Sequence, residues 1–326
     1  MAMLALVAPL VVVVGQTAAA ATVRVAPRSP GCRLTQTPKL SGAARSVQVN
    51  GTTRTYLIST PAPSKAALPL VLDFHGLAEG DAIEAVTSQF GRLGQRDRFI
   101  AVFPQGTGSP IGWDTEDMKA NADLVYVSAL LDRLEATQCI NEQRVYATGL
   151  SLGAFMTSLL ACTMSNRIAA FAPVSGVQLP RPCARRHVPI LAFHGTADPI
   201  LYFNGGIGTA LLSQLLSGAT SATTVPLPPV RLNGPGYPAT VAAWARHDGC
   251  ATKASNVRIT PHVIRRTYRC PAGTAVSFYI VLGGGHAWPG SKFSQAIAAF
   301  TGPATVEINA TKIIWTFFER FKLPAS

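Results

Sequence analysis

The chain has 326 residues, of which 48% are hydrophobic and 13% charged. That apolar share supports a sizeable core, and so few charges argue against a disordered chain. The formal net charge is +12, yet the basic residues are scattered, with Arg185-Arg186 and Arg265-Arg266 the densest pairs and no aromatic residues among them. Nucleic-acid binders cluster their charge, so the composition argues against that class.

Residues 2–14 are almost wholly apolar and are followed by the small residues of GQTAAAATV. The run is short for a membrane span and suits a secretory signal, although no Lys or Arg precedes it. We therefore expect residues 1–22 to be a signal peptide, 23–326 to form one domain, and the product to be secreted, without a stable membrane span. The six cysteines are Cys32, Cys139, Cys162, Cys183, Cys250 and Cys270. They form no C-x-x-C pair, so a zinc site has no support, and no metal or cofactor is expected. An even count in an exported chain suggests three disulfides, with 15 connectivities open. Chain proximity favours Cys162–Cys183 and Cys250–Cys270, which leaves Cys32–Cys139.

In chain order, residues 47–58 read as a hairpin turned at Asn50-Gly51. Residues 68–76, 99–106, 144–149, 168–176 and 188–198 are short apolar runs, as expected for strands buried on both faces of a parallel sheet. Helical patterns cover 120–136, 152–164 and 238–247. Residues 275–286 read as a last strand and 304–321 as a terminal helix. The alternation predicts an α/β fold with a mostly parallel, doubly wound sheet and an N-terminal antiparallel hairpin. Residues 200–236 break the rhythm and read as an irregular excursion over the sheet's active edge.

Gly149-Leu150-Ser151-Leu152-Gly153 follows a strand and opens a helix. A serine on such a turn projects its hydroxyl above the sheet, with small neighbours admitting a base. The hydroxyl is a poor nucleophile unless a base takes its proton and an acid orients that base. The partners should follow in the order acid, then histidine. His286 sits among glycines after the last strand, and Asp198 ends an earlier strand, so both lie at the sheet's carboxyl edge. Asp123 precedes Ser151 and lies in a helix; Asp248 reads as a helix cap or surface group. His194 reads as a packing or hydrogen-bonding residue and His75 as a loop-turning one. An oxyanion hole should come from the amide of Leu152 and one near Gly76 or Leu77. Trp288, Trp113 and Tyr202 are candidates for the substrate pocket.

LDFHG, a GW followed by a helix with Asp123, CINEQRVYATGLSLGAFM, APVSG, FHGTAD and GGGHAWPG occur in that order. Together they resemble the secreted esterases of the polyhydroxybutyrate depolymerase family, which also holds feruloyl and acetylxylan esterases. The resemblance covers roughly residues 45–320. It implies an α/β-hydrolase fold, hydrolysis of carboxylic esters and a triad of Ser151, Asp198 and His286. Leu152 stands where many members carry a small polar residue, and 204–236 is longer than a compact member needs. No Ser/Thr-rich linker or second module is evident, which favours soluble esters over crystalline polyester. The expected partner is an ester substrate, and the expected state a monomer. The rival readings are a serine peptidase on the same fold and a non-catalytic binding protein that retains it.

Overall fold

The computed structural model describes residues 27–34, 39–63, 66–116, 118–184, 186–218 and 226–324. The expected signal peptide lies outside the described residues. The strands are β1 (Ala43–Val49), β2 (Thr52–Ser59), β3 (Leu68–Phe74), β4 (Ile100–Pro104) and β5 (Ile140–Leu150). They continue with β6 (Ala170–Val174), β7 (Ile190–Gly195), β8 (Ala254–Thr260), β9 (Val263–Tyr268) and β10 (Val276–Val281). All belong to one sheet of order β1-β2-β4-β3-β5-β6-β7-β10-β9-β8. The six strands from β4 to β10 run parallel, and an antiparallel hairpin closes each side. The β1–β2 turn has φ 49° at Asn50 and 78° at Gly51, the two positive values a tight hairpin turn requires.

The helices are α1 (Asp81–Ser88), α2 (Phe90–Asp97), α3 (Ala122–Thr137), α4 (Leu152–Thr163), α5 (Thr209–Leu216) and α6 (Tyr237–His247), then α7 (Lys292–Ala296), α8 (Ala298–Thr301) and α9 (Ala310–Phe318). Alternation along β3 sends Leu70, Leu72 and Phe74 into one core with Leu130, Met156 and Trp244 of α3, α4 and α6. Val71 goes to the opposite face, in a core with Phe90 of α2 and Ile314 and Phe318 of α9. Sandwiching by helices explains why β4, β6 and β7 are buried along their whole length.

Two expectations need correcting, and one element had no expectation at all. The excursion at 200–236 contains a regular element, α5, where Ala210-Leu211-Leu212 supply good helix formers. The terminal helix occupies only Ala310–Phe318, opened by an Asn309 cap whose side chain accepts from the Lys312 amide. The β8–β9 hairpin was not anticipated: β8 is mostly exposed, so its side chains show no buried apolar run.

The chain passes from β3 out to β4 and then returns to β5 on the other side of β3. The sheet order therefore reverses between β3 and β5. Crevices at such switch points, outside the carboxyl ends of the strands, are where α/β sheets bind ligands. His75 and Gly76 follow β3 there, and Ser151 follows β5.

Candidate active site

Ser151 sits between β5 and α4 with φ 58° and ψ −119°, a conformation a side-chain-bearing residue adopts only where its surroundings enforce it. The flanking glycines explain the enforcement. A Cβ on Gly153 would lie 1.9 Å from the Phe74 carbonyl oxygen, and one on Gly149 would lie 2.5 Å from the same atom. Only glycine lets the turn close against the end of β3. The Ser151 amide donates to the Val174 carbonyl at 3.0 Å, which fixes the turn to β6.

Asp198 and His286 arrive on two loops that are laced together. The Ala197 amide donates to the Gly284 carbonyl at 2.8 Å, and the Gly283 amide donates to the Thr196 hydroxyl at 2.8 Å. Gly195 permits this approach, since a Cβ there would meet the Gly284 oxygen at 2.1 Å. Asp198 is buried. Its Oδ1 accepts from the amides of Ile200 at 2.9 Å and Leu201 at 2.8 Å. Its Oδ2 accepts from Nδ1 of His286 at 2.8 Å. That contact places the imidazole proton on Nδ1 and leaves Nε2 as the basic nitrogen. Burial alone would lower the proton affinity of His286. The charge of Asp198, its hydrogen bond and the charge of Glu79 outweigh burial and hold the imidazole above its ordinary value.

Ser151 and His286 open onto one cavity of about 330 Å³. Leu77 and Glu79 line it beside them, and its walls include Ile83, Leu212, Phe293, Ile297 and Phe300. No hydrogen bond joins Ser151 to His286 among the described residues; such contacts are commonly long before substrate binds. A larger depression, about 900 Å³, lies near Asn141, Arg144 and Val188 at the amino ends of the strands, away from Ser151.

The amide of Leu152 is at the first position of α4, where helix geometry leaves the N–H unpaired. The Gly76 amide is already committed, donating to Oε2 of Glu79 at 2.8 Å. Of the two residues expected after β3, Leu77 is therefore the one whose amide remains as a candidate donor, and Gly76 is not.

The aromatic expectations fall elsewhere. Trp288 is 1% exposed, donates from Nε1 to the Thr311 hydroxyl at 3.0 Å and packs edge-on to Phe90. Trp113 donates to the His75 carbonyl at 2.9 Å and packs behind the β3 loop. Neither they nor Tyr202 line the cavity of Ser151 and His286. His75 turns its loop, with Nδ1–H to the Gly76 carbonyl and Nε2 accepting from the Gly106 amide; burial keeps its proton affinity low. Asp123 is paired with Arg54 at 2.7 Å inside the protein. Asp248 caps α6 but is fully buried, not on the surface, and burial pushes its carboxyl up to about 6.

The hydrogen-bonding reading of His194 holds, and sequence reading missed two further features. His194, on β7, reaches Oδ2 of Asp198 at 3.2 Å while its Nε2–H donates to the Leu201 carbonyl at 2.8 Å; burial pushes it down to about 4, so it is neutral. Glu79 was overlooked as a loop residue. The cavity wall was also legible in principle, because Phe293, Ile297 and Phe300 recur at spacings of four and three. The three disulfides join Cys32 to Cys139, Cys162 to Cys183 and Cys250 to Cys270. They suit an oxidising compartment. No helix among the described residues is long and apolar enough to cross a membrane.

No protein-family model matches the chain. A putative esterase, NocK, from Nocardia uniformis subsp. tsuyamanensis is 30% identical over 272 residues, which is 77% of this chain and 75% of that protein. Feruloyl esterase B from Piromyces equi is 26% identical over 269 residues, 79% of this chain. The chain spans only 43% of the length of that relative. Among solved structures, an acetyl xylan esterase from Aspergillus awamori superposes with a TM-score of 0.54 at 15% identity, covering 76% of this chain and 94% of that one. The 30% identity to the putative esterase over three quarters of both chains places this chain among the esterases whose curated relatives include feruloyl esterases, an acetylxylan esterase and a poly(3-hydroxyalkanoate) depolymerase, and the superposition shows that it shares their α/β-hydrolase fold.

Proposed function

We propose that the protein is a secreted, monomeric serine esterase that hydrolyses carboxylic esters with an apolar acyl or aryl group through an acyl-enzyme. The observation that carries this reading is the pairing of a strained turn serine with an Asp198-held imidazole on one apolar cavity. In the first half-reaction, Nε2 of His286 takes the Ser151 proton as Oγ attacks the ester carbonyl carbon. The carbonyl oxygen becomes an oxyanion facing the amides of Leu77 and Leu152, with the positive end of α4 behind it. Collapse expels the alcohol, protonated by His286. Water, activated by the same nitrogen, then releases the acid and restores the serine. The three disulfides support export.

The relatives' names include feruloyl esterases, an acetylxylan esterase and a polyhydroxyalkanoate depolymerase. For this chain, the Phe293, Phe300 and isoleucine walls favour cinnamoyl-type or medium acyl groups over acetyl. The test is turnover of chromogenic acyl esters of rising chain length and of methyl ferulate, together with labelling by a fluorophosphonate. We expect Ser151→Ala to lose turnover and labelling while its Tm stays near wild type. Turnover surviving in that variant would mean that another residue attacks.

A further inference from the structure

Glu79 occupies a position that the ester-hydrolysis reading leaves without a role. It is half-buried on the loop after β3 and lines the same cavity as Ser151 and His286. Its side chain folds back so that Oε2 accepts the Gly76 amide hydrogen at 2.8 Å. The backbone between them is a tight turn. Ala78 takes φ 62°, and its amide donates to the Ile111 carbonyl at 2.7 Å. A Cβ on Gly76 would lie 2.7 Å from the Glu79 carboxylate and 3.4 Å from the Ser151 Cβ. The turn is thus clamped between Glu79 and the nucleophile, with Leu77 at its apex.

We propose that Glu79 is a positioning residue for this reaction: it holds the 76–79 turn in the shape that leaves the Leu77 amide for the oxyanion, and its carboxylate faces the imidazolium formed at His286. The inference rests on the serine-esterase reading above. Two physical consequences separate the roles. An accepting oxygen is enough for the clamp, so a glutamine would preserve it. Only a carboxylate supplies charge, so a glutamine would remove the influence on His286. Burial raises the Glu79 carboxyl above its ordinary range, while the Gly76 amide and His286, across the cavity, pull it back down; Glu84 on α1 also faces it, and Asp73 of β3 lies beyond Glu84 and acts on it. Asp198 faces His286 from the other side.

The experiment compares wild type, Glu79→Ala and Glu79→Gln in kcat, KM and the pH profile of kcat/KM, with thermal unfolding as a fold control. Loss of one complete oxyanion donor costs about 10²–10³ in kcat. A donor that is misplaced and not deleted should cost about tenfold or more in Glu79→Ala, with KM changing little because the contact forms in the transition state. Glu79→Gln should recover most of kcat, while its acid limb moves to lower pH. The inference is overturned if Glu79→Ala keeps wild-type kcat, if Glu79→Gln fails to recover it, or if the limb of the glutamine variant stays in place. Fluorophosphonate labelling separates the two levels. A wild-type protein that does not label at Ser151 defeats the esterase reading itself. A wild type that labels, with Glu79→Ala labelling at the same rate, defeats only the role of Glu79.

Discussion

At His286, opposing forces meet on one ring. Burial withdraws solvation from the imidazolium, whereas Asp198, in contact at 2.8 Å, and Glu79 across the cavity stabilise it. The balance favours the charged form, so the ring holds its proton to a higher pH than an ordinary histidine, whose value is near 6.5. The proposed mechanism needs the neutral ring. Activity should therefore fall as pH drops through the raised value, and the acid limb of kcat/KM should have its midpoint above about 6.5. In Asp198→Asn the stabilising charge is gone, so the limb should shift downward along with a large loss of kcat. A wild-type midpoint below that of free histidine, with chemistry rate-limiting, would contradict the assignment of His286 as base. His194 makes a useful contrast in the same few ångströms: it approaches the same Asp198 oxygen, but burial dominates and keeps it neutral. The two histidines are distinguished by which nitrogen meets which acceptor, and no sequence pattern around either ring encodes that.

Between α1 and β3 the fold carries a second polar device. Asp73 points from β3 toward the helix, and its Oδ2 accepts from the Ser88 hydroxyl at 2.5 Å. Both Asp73 and Glu84 of α1 are 0% exposed. Burial drives both carboxyls toward the protonated form, Asp73 to about 7, and mutual repulsion pushes Glu84 well above the carboxylate range. Two such groups side by side share a proton. Because the folded values are raised, the pair stabilises the fold at low pH, and that contribution is lost as pH rises from about 4 toward 7. Asp73→Asn retains an acceptor for Ser88 and offers Glu84 a donor. Its stability relative to wild type should improve from pH 5 to pH 8, read from denaturant midpoints at the two pH values. A difference that does not change with pH would mean that the pair does not titrate on unfolding. This device was invisible in the sequence, since Asp73 sits inside the apolar run LPLVLDFHG. What was legible there follows from short-range rules. The buried strands announced themselves as apolar runs, the first hairpin through Asn50-Gly51, and the Ser151 turn through its two glycines. The pairing of Asp198 with His286 was foreshadowed by chain order and strand ends. What stayed hidden depends on distant contacts: Glu79 against Gly76, the packing of α5 beside the α7–α8 wall, and the burial of Trp288 and Trp113. An indole near a candidate base looks alike in sequence whether it faces substrate or core, and here packing against Phe90 and a bond to Thr311 decide for the core.

At the scale of the whole molecule, a long-range cross-link holds the end of the sheet opposite Ser151. The Cys32–Cys139 bond fastens the segment before the first hairpin to the residue preceding β5, where the Ser29 amide also donates to the Ile140 carbonyl at 3.0 Å. Ser151 lies beyond the other end of β5; Ile140 to Gly149 pairs with Leu68 to Phe74, so the two ends of that stretch are roughly 20 Å apart at strand spacing. The bond can therefore be removed without touching the chemistry. It closes 107 residues, against 21 for Cys162–Cys183 and 20 for Cys250–Cys270. In the chain-entropy account, a cross-link restrains the unfolded chain more as the loop grows, by about 1.5 kcal/mol for this ratio of lengths. The double variant Cys32→Ser with Cys139→Ser leaves no unpaired thiol. It should lose up to about 4.8 kcal/mol of stability in this account, more than either corresponding pair of changes at the short loops, while kcat/KM at 25 °C stays near wild type. Guanidinium midpoints of the three double variants, each with its m-value, measure the order. If removing the long bridge costs no more than removing a short one, the unfolded chain is not the seat of the effect. The hydrogen bonds of Ser29 to Gln138 and Ile140 would then be sufficient to hold the N-terminal segment against β5.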